Sequence, residues 1–216
     1  MVNQQAGLTR FGSAADHGGN HRVGGNLLRS SIGVFLGAVA MAVLTAFAGG
    51  ATASASTDWT VFATQAGLSA EKADALQDKV DGYLAELKGQ GKQVSPNQID
   101  LGGAVLNVAV PGEAQPRQLG ASTSGVLAVH QCNGAAFYEW FCAYEYENKG
   151  GDNIGMWSCG TYGIPWGSTG SWENNQTTGT RPVMHFTNGS SQTMPAAWAI
   201  QRTGVAWLTV RSITNC

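Results

Sequence analysis

The most restrictive feature of this 216-residue sequence is the placement of its four cysteines, all between positions 132 and 216. An even number confined to one segment is typical of a disulfide framework. Metal binding would require close pairs such as C-x-x-C, but the two nearest cysteines are ten positions apart with no histidine between them. We favour pairing Cys132 with Cys142, which closes a local hairpin, and Cys159 with Cys216, which pins the C-terminus. Four cysteines also allow two other connectivities.

The N-terminal region, residues 1–55, has the features of a signal peptide. Arg29 precedes the uncharged, mostly apolar run 30–48, and A-x-A cleavage sites follow at 51–53 and 53–55. An uncleaved membrane anchor is the alternative, although the run lies at the short end of the roughly 17–25 residues that a span needs. We therefore predict a secreted, extracellular protein with no membrane association once the leader is removed.

Composition excludes several classes of partner. Only 12% of the residues are charged, about half the usual share for a soluble domain, and the formal net charge is −2. Neither a nucleic-acid-binding surface nor a polybasic membrane patch fits that balance. The 30 glycines and 7 tryptophans favour turn-rich β structure over a helical bundle.

Residues 58–119 are predicted to form a small helix–hairpin (αββ) module. Ser69 can cap a helix whose apolar residues recur at helical period over 73–87. Gly89 can end that helix by supplying a left-handed turn. A unit of this size buries only a modest core, so we expect it to pack against another part of the protein.

The second half of that module is predicted to be a β-hairpin. Gly102 and Gly103 offer a two-residue turn before the β-prone run 105–110. A linker over 120–125 follows, because the chain there is rich in Gly, Ser, Thr and Ala.

The last segment, residues 126–216, is predicted to be an all-β, disulfide-stapled Greek-key domain, which makes the whole chain α+β. Its β-prone stretches are short and separated by glycine-rich turns. Over 137–147, aromatic residues and a cysteine alternate with acids, so the first set should be buried and the second solvated. The buried set is Tyr138, Trp140, Cys142, Tyr144 and Tyr146, and the solvated set includes Glu139, Glu145 and Glu147.

Three short stretches of this segment resemble a known motif. YEYENKGG (144–151), MWSCG (156–160) and GSWENNQ (170–176) resemble the βγ-crystallin-like Greek-key motif of small secreted bacterial proteins grouped with the streptomycete metalloproteinase inhibitor family. The resemblance covers about residues 131–216. It implies a βγ-crystallin-like domain.

The motif has an aromatic–Glu pair on its first strand, a glycine at the fold-back and a serine before a later strand. Tyr144-Glu145, Gly151 and Ser171 occupy these positions here. Lys149 stands where the motif prefers an aromatic residue.

The calcium-binding variant of the motif requires two Asp or Asn residues ahead of the serine pair. The aligned residues 166–171 are Trp, Gly, Ser, Thr, Gly and Ser, which leaves a hard cation few ligands. We therefore expect no metal and no calcium requirement.

No catalytic pattern is present in the sequence. His130, His185 and Asp152 lie in the last segment without a nucleophile-elbow pattern. Glu145 and Glu147 are two apart on a strand, which is typical of a solvated face. There is no phosphate loop, H-E-x-x-H or dinucleotide fingerprint, so we expect a non-enzymatic protein without a cofactor.

The family resemblance implies inhibition of a secreted peptidase through a rigid loop offered like a substrate. Loops 161–170 and 190–197 are candidates, because each contains a proline that would reduce the entropic cost of binding. The side chains expected to be exposed and to contact the peptidase are Tyr162, Ile164, Trp166 and Met194. A module that binds cell-wall glycan through its tryptophans, or a structural envelope protein, is the alternative, since fold alone does not separate these functions.

Overall fold

The described part of the chain begins with two helices and continues almost entirely as β-strands. The computed structural model describes residues 57–119 and 131–216, so the predicted leader (1–55) and linker (120–125) lie outside the described residues. The described residues all fall in one compact unit, 53–216. The elements are α1 (Trp59–Gln65), α2 (Ala70–Glu86), β1 (Lys92–Ser95), β2 (Gln98–Asp100), β3 (Ala104–Asn107), β4 (Trp140–Tyr144), β5 (Asn153–Met156), β6 (Thr161–Gly163), β7 (Thr169–Asn175), β8 (Val183–Phe186), β9 (Ser191–Thr193), β10 (Ala199–Ala206) and β11 (Val210–Thr214).

Helix α2 forms where the apolar periodicity predicted it. The Ser69 hydroxyl accepts a hydrogen bond from the Lys72 N–H (3.3 Å), which caps the first turn. Leu76 and Val80 are buried on one face. Helix α1 was not predicted, because it has only seven residues and one buried side chain, Ala63, too few to show a period.

Segment 58–119 contains a third strand that the αββ prediction lacked. The predicted hairpin is present as β2 and β3, which pair Ile99 with Leu106, and β1 adds a further antiparallel strand beside β2. The predicted αββ composition is therefore wrong in this respect. Strand β1 was not predicted because its residues, KQVS, are mostly polar. Three of the four are nevertheless buried.

The helix–hairpin segment packs against the later β segment, as its small size predicted. Strand β3 pairs with β5, and this pairing places Leu106 opposite Ile154. Leu76 and Val80 of α2 belong to the same hydrophobic cluster as Ile154 and Ile213. Segments 58–119 and 126–216 therefore share one sheet and one core.

Two antiparallel sheets hold the eleven strands. The larger has the order β1-β2-β3-β5-β4-β7-β10, and the smaller has the order β6-β11-β8-β9. Strands β4–β7 and β8–β11 form two successive sets of four. Each set contributes its third strand to the sheet of the other set: β6 lies beside β11, and β10 lies beside β7. The predicted α+β class with a β-rich segment is confirmed.

Strand β4 is central in its sheet, because β5 and β7 flank it, and its side chains are buried on both faces. Phe141 faces the main core, while Cys142 and Tyr144 belong to a smaller cluster on the opposite face. The predicted burial of Tyr138 and Tyr146 is wrong, since both lie outside β4 and are exposed. The predicted solvation of Glu145 is also wrong, because this residue is half-buried.

The fold-back between β4 and β5 is built by the motif residues. Gly151 has φ +71°, and a Cβ at this position would lie 2.6 Å from the Tyr146 ring, so only glycine fits without displacement. The Ser171 hydroxyl accepts from the Lys149 N–H (3.0 Å) and donates to the Tyr146 carbonyl (2.9 Å). Lys149 is itself buried, and its ammonium pairs with Glu173 at 2.7 Å.

The favoured disulfide connectivity is confirmed. Cys132 pairs with Cys142 with a Cα–Cα distance of 5.7 Å, and Cys159 pairs with Cys216 at 5.2 Å. The first bridge tethers the segment that precedes β4, and the second ties the β5–β6 connection to the C-terminus. Such bridges form and persist in oxidising environments.

Candidate functional site

The four side chains predicted to be exposed on two loops are buried. Tyr162, Ile164, Trp166 and Met194 are between 2% and 8% exposed and belong to the main hydrophobic core. The Trp166 indole meets Trp207 edge-on, with 5.9 Å between ring centroids. The predicted exposure is therefore wrong, because at these positions the apolar side chains turn inward while neighbouring glycine, proline and polar residues face water.

The first candidate loop, 161–170, borders a groove. The groove has a volume of about 750 Å³ and lies between this loop, the C-terminal end of α2 and β11. Pro165 lines it together with Leu208, whose side chain is 73% exposed. Lys88 and Arg211 supply basic groups. The buried side chains of loop 161–170 therefore hold it against the core. The exposed apolar side chain beside it, Leu208, comes from another part of the chain.

The exposed apolar side chain near the second candidate loop is Trp198, one position beyond the predicted range 190–197. Trp198 is 69% exposed, whereas Met194 points into the core. Sequence reasoning included Trp198 only among the tryptophans of the glycan-binding alternative and gave it no part in the inhibitory loops, because tryptophans are usually largely buried. The polar run Gln201–Thr203 that follows could have indicated it, because a strand with polar residues on both faces lies at the surface.

Hydrogen bonds hold this second loop from its inner side. Asn174 is buried in β7, and its side-chain amide donates to the carbonyls of Thr180 (3.1 Å) and Pro195 (3.2 Å). The Ala197 N–H donates to the same Thr180 carbonyl (3.0 Å). The Met194 N–H donates to the carbonyl of Pro182, in the connection between β7 and β8 (2.8 Å). The loop is therefore fixed at both ends while Trp198 points to solvent.

The loop leads directly into an edge strand. Strand β10 is the last strand of the larger sheet and pairs with β7 through Ala199–Asn174 and Ile200–Glu173. Its register shifts after Gln201, so the regular part of the edge is short. One edge of this part pairs with β7, and the other edge has no strand partner among residues 57–119 and 131–216.

A small, partly open cavity of mixed polarity lies beside the loop and β10. Its volume is about 200 Å³, and it lies between β8 and β9 of one sheet and β7 and β10 of the other. Trp172, Met184, Phe186 and Met194 line it. The buried Met194 therefore supports the loop from below and does not form its contact surface.

A buried carboxylate, Asp152, joins the helix to the sheet. It accepts hydrogen bonds from the Lys79 ammonium (2.8 Å), the Ala109 N–H (2.8 Å) and the Tyr83 hydroxyl. Its side chain is fully buried. These three donors, all groups of this chain, satisfy the carboxylate. Asp152 is therefore a structural anchor that joins α2 to the sheet.

Glu145 lies next to this anchor. Its carboxylate accepts from the Asp152 N–H (3.2 Å). Burial, and secondly the negative charge of Asp152, raise the pKa of Glu145. Burial and the same charge also raise the pKa of Tyr83. No sequence signal pointed to this cluster, because its members lie far apart along the chain.

The remaining candidate groups are separated. His185 in β8 lies 2.8 Å from the Thr214 hydroxyl, and His130 lies outside the described residues. Glu147 is exposed and accepts from the Gly204 N–H (2.9 Å). Over 57–119 and 131–216, no group of three or more His, Cys, Asp or Glu side chains is arranged to hold a metal ion. Within these residues, neither helix is long and apolar enough to cross a bilayer.

The described residues form a disulfide-stapled α+β protein in which two sets of four strands exchange their third strands. The loop before β10 is held by hydrogen bonds and leaves Trp198 exposed. No protein-family model, curated protein or solved structure matches the chain.

Proposed function

We propose that this protein is exported and inhibits an extracellular peptidase without being an enzyme itself. The observation that carries the proposal is the loop 194–198, which is braced on its inner side by Asn174 and leaves Trp198 exposed. A peptidase binds its substrates as extended segments. A segment already held in one conformation loses less entropy on binding than a flexible one.

The scaffold suits a protein that must survive its target. Two disulfides tie the start and the end of the β segment, and the loop ends are hydrogen-bonded to neighbouring backbone. Proteolysis of a folded protein requires local opening, so cross-links and satisfied backbone groups slow it. An inhibitor must remain intact longer than a substrate does.

The resemblance to the βγ-crystallin-like inhibitor family supports the same proposal. Each four-strand set places its fourth strand beside its first and its first beside its second, as a Greek key does, while the third strand crosses to the other sheet. Gly151 lies at the fold-back and Ser171 is hydrogen-bonded to it from a later strand, at the positions that the motif gives these residues. These features support the resemblance, and the resemblance supports peptidase inhibition.

A second candidate function is binding to cell-wall glycan. Phe137, Tyr138 and Trp198 are all exposed, and exposed aromatic rings are suited to stacking on sugars. Retention on cell-wall material with no effect on any peptidase would favour this candidate over inhibition.

A panel assay tests the proposal. The purified, oxidised protein is titrated against secreted serine and metallo-endopeptidases, and the same preparation is used in a cell-wall pull-down. We expect stoichiometric inhibition of at least one endopeptidase and no retention on the wall material. Absence of inhibition at micromolar protein across the panel would contradict the proposal.

A further inference from the structure

We infer that Trp198 and Ile200 are the specificity-determining side chains of the inhibitory segment, and that the target is an endopeptidase with a large apolar primary pocket. This inference rests on the proposed function and specifies which target that function requires.

The two exposed side chains flank one half-buried residue. Trp198 is 69% exposed and Ile200 is 41% exposed. Ala199 between them is half-buried and packs against the core. Trp198 lies in the bend just before β10 and Ile200 lies in β10 itself, so the two exposed apolar side chains belong to one short stretch of the surface. A cleft that binds this stretch can contact both side chains.

Trp198 differs from Leu208, an equally exposed apolar residue, in its backbone setting. Leu208 is as exposed, at 73%, but it lies in the 3₁₀ helix Trp207–Thr209. Trp198 lies between the braced loop and the regular part of β10, where one backbone edge is available for pairing. A peptidase can therefore add its own strand to the segment while its pocket takes the indole.

Charge indicates the nature of the pocket. The segment from Asn188 to Gln201 contains no Asp, Glu, Lys or Arg. A pocket that selects basic residues carries a buried acid, which an indole would leave unpaired at a high cost. The pocket that fits Trp198 is apolar and deep enough for a two-ring side chain, which buries a large area when enclosed.

The test compares peptidases and variants. The wild-type protein is titrated against endopeptidases that cleave beside large aromatic or aliphatic residues and against endopeptidases that require Lys or Arg. We expect inhibition of the first group only. Trp198→Ala should raise the inhibition constant at least about thirtyfold, whereas Trp198→Phe should retain most of the inhibition.

Leu208→Ala is the matched control, because it removes an equally exposed apolar side chain outside the segment. It should inhibit like the wild type, and thermal melts should show that all variants are folded. Unchanged inhibition by Trp198→Ala would overturn the anchor assignment while leaving the proposed function in place. Equal loss with Leu208→Ala, or inhibition of Lys- and Arg-specific enzymes only, would also overturn it. A wild type that inhibits no peptidase would contradict the proposed function and the inference together.

Discussion

Lys79 of α2 and Asp152, which precedes β5, form an ion pair with an Nζ–Oδ1 distance of 2.8 Å across 73 positions of sequence. The Asp152 side chain is fully buried, while that of Lys79 is 31% exposed. A buried carboxylate is costly unless its oxygens are satisfied, and here Tyr83 and the Ala109 N–H complete the set. This contact links the helical segment to the β segment.

Asp152→Ala should therefore destabilise the protein by about 3 kcal/mol, the lower end of the range for breaking a buried pair, because Lys79 can still reach water. Equilibrium urea unfolding measures the change. The control is Glu113→Ala, which removes the surface ion pair with Arg117 and should cost less than about 1 kcal/mol. Equal effects of the two substitutions would show that Asp152 is not an anchor.

Glu145→Gln should change how stability depends on pH. Burial raises the pKa of Glu145, so the folded protein binds this proton more tightly than the unfolded chain does. The protonated Glu145 therefore contributes to the free energy of unfolding. This contribution is fully present below the ordinary glutamate pKa, about 4.3, and is lost as the pH rises through the raised pKa. The variant keeps an oxygen that can accept from the Asp152 N–H but cannot ionise.

Melting temperatures from pH 4 to pH 8 test this expectation. Relative to Glu145→Gln, the wild type should become progressively less stable as the pH increases. Glu86→Gln, at an exposed position on α2, is the matched control that removes one carboxylate. A Glu145→Gln curve parallel to that of the wild type would contradict the expected effect.

The two segments should stay associated after the chain between them is cut. Strand β3 pairs with β5, and Leu106 and Ile154 are fully buried in the shared core. Separation would expose this apolar surface to water. A specific protease site placed within residues 120–130 allows the cut.

Size-exclusion chromatography of the cut protein should give one peak at the original position. Non-reducing denaturing gels should resolve two chains, because the four cysteines all lie in the C-terminal segment. Separate elution of the fragment that contains residues 57–119 would contradict the expectation.

The longer disulfide should contribute more stability than the shorter one. Cys159 and Cys216 are 57 positions apart, whereas Cys132 and Cys142 are 10 apart. The loop-entropy model gives about 4 kcal/mol for the first and about 3 kcal/mol for the second. Urea unfolding of the two double Cys→Ala variants measures both, and alkylation of the unreduced wild type should label no cysteine. A larger loss at the shorter bridge would mean that packing around Cys132 outweighs loop entropy.

Features that depend on neighbouring residues could be predicted from the sequence. Helix α2, its Ser69 cap and the β2–β3 hairpin follow from periodicity and turn chemistry within about twenty residues. Spacing favoured the disulfide pairing that the structure has but left two other connectivities open. Tyr138 and Tyr146 show the limit of such reasoning, because the alternation in the sequence extends beyond both ends of the strand.

The tertiary structure decided which residues are inside and which are available. Pairing of β3 with β5 and the crossing of β6 and β10 between sheets join positions far apart in sequence, which no local pattern encodes. Burial of Trp166 and Met194 and exposure of Trp198 depend on these long-range pairings. A residue type sets only how favourable burial is, and the packed neighbours determine whether burial takes place. By itself the sequence determined the helix, the hairpin and the cysteines available for pairing, and the packing of the sheets decided the surface that can act.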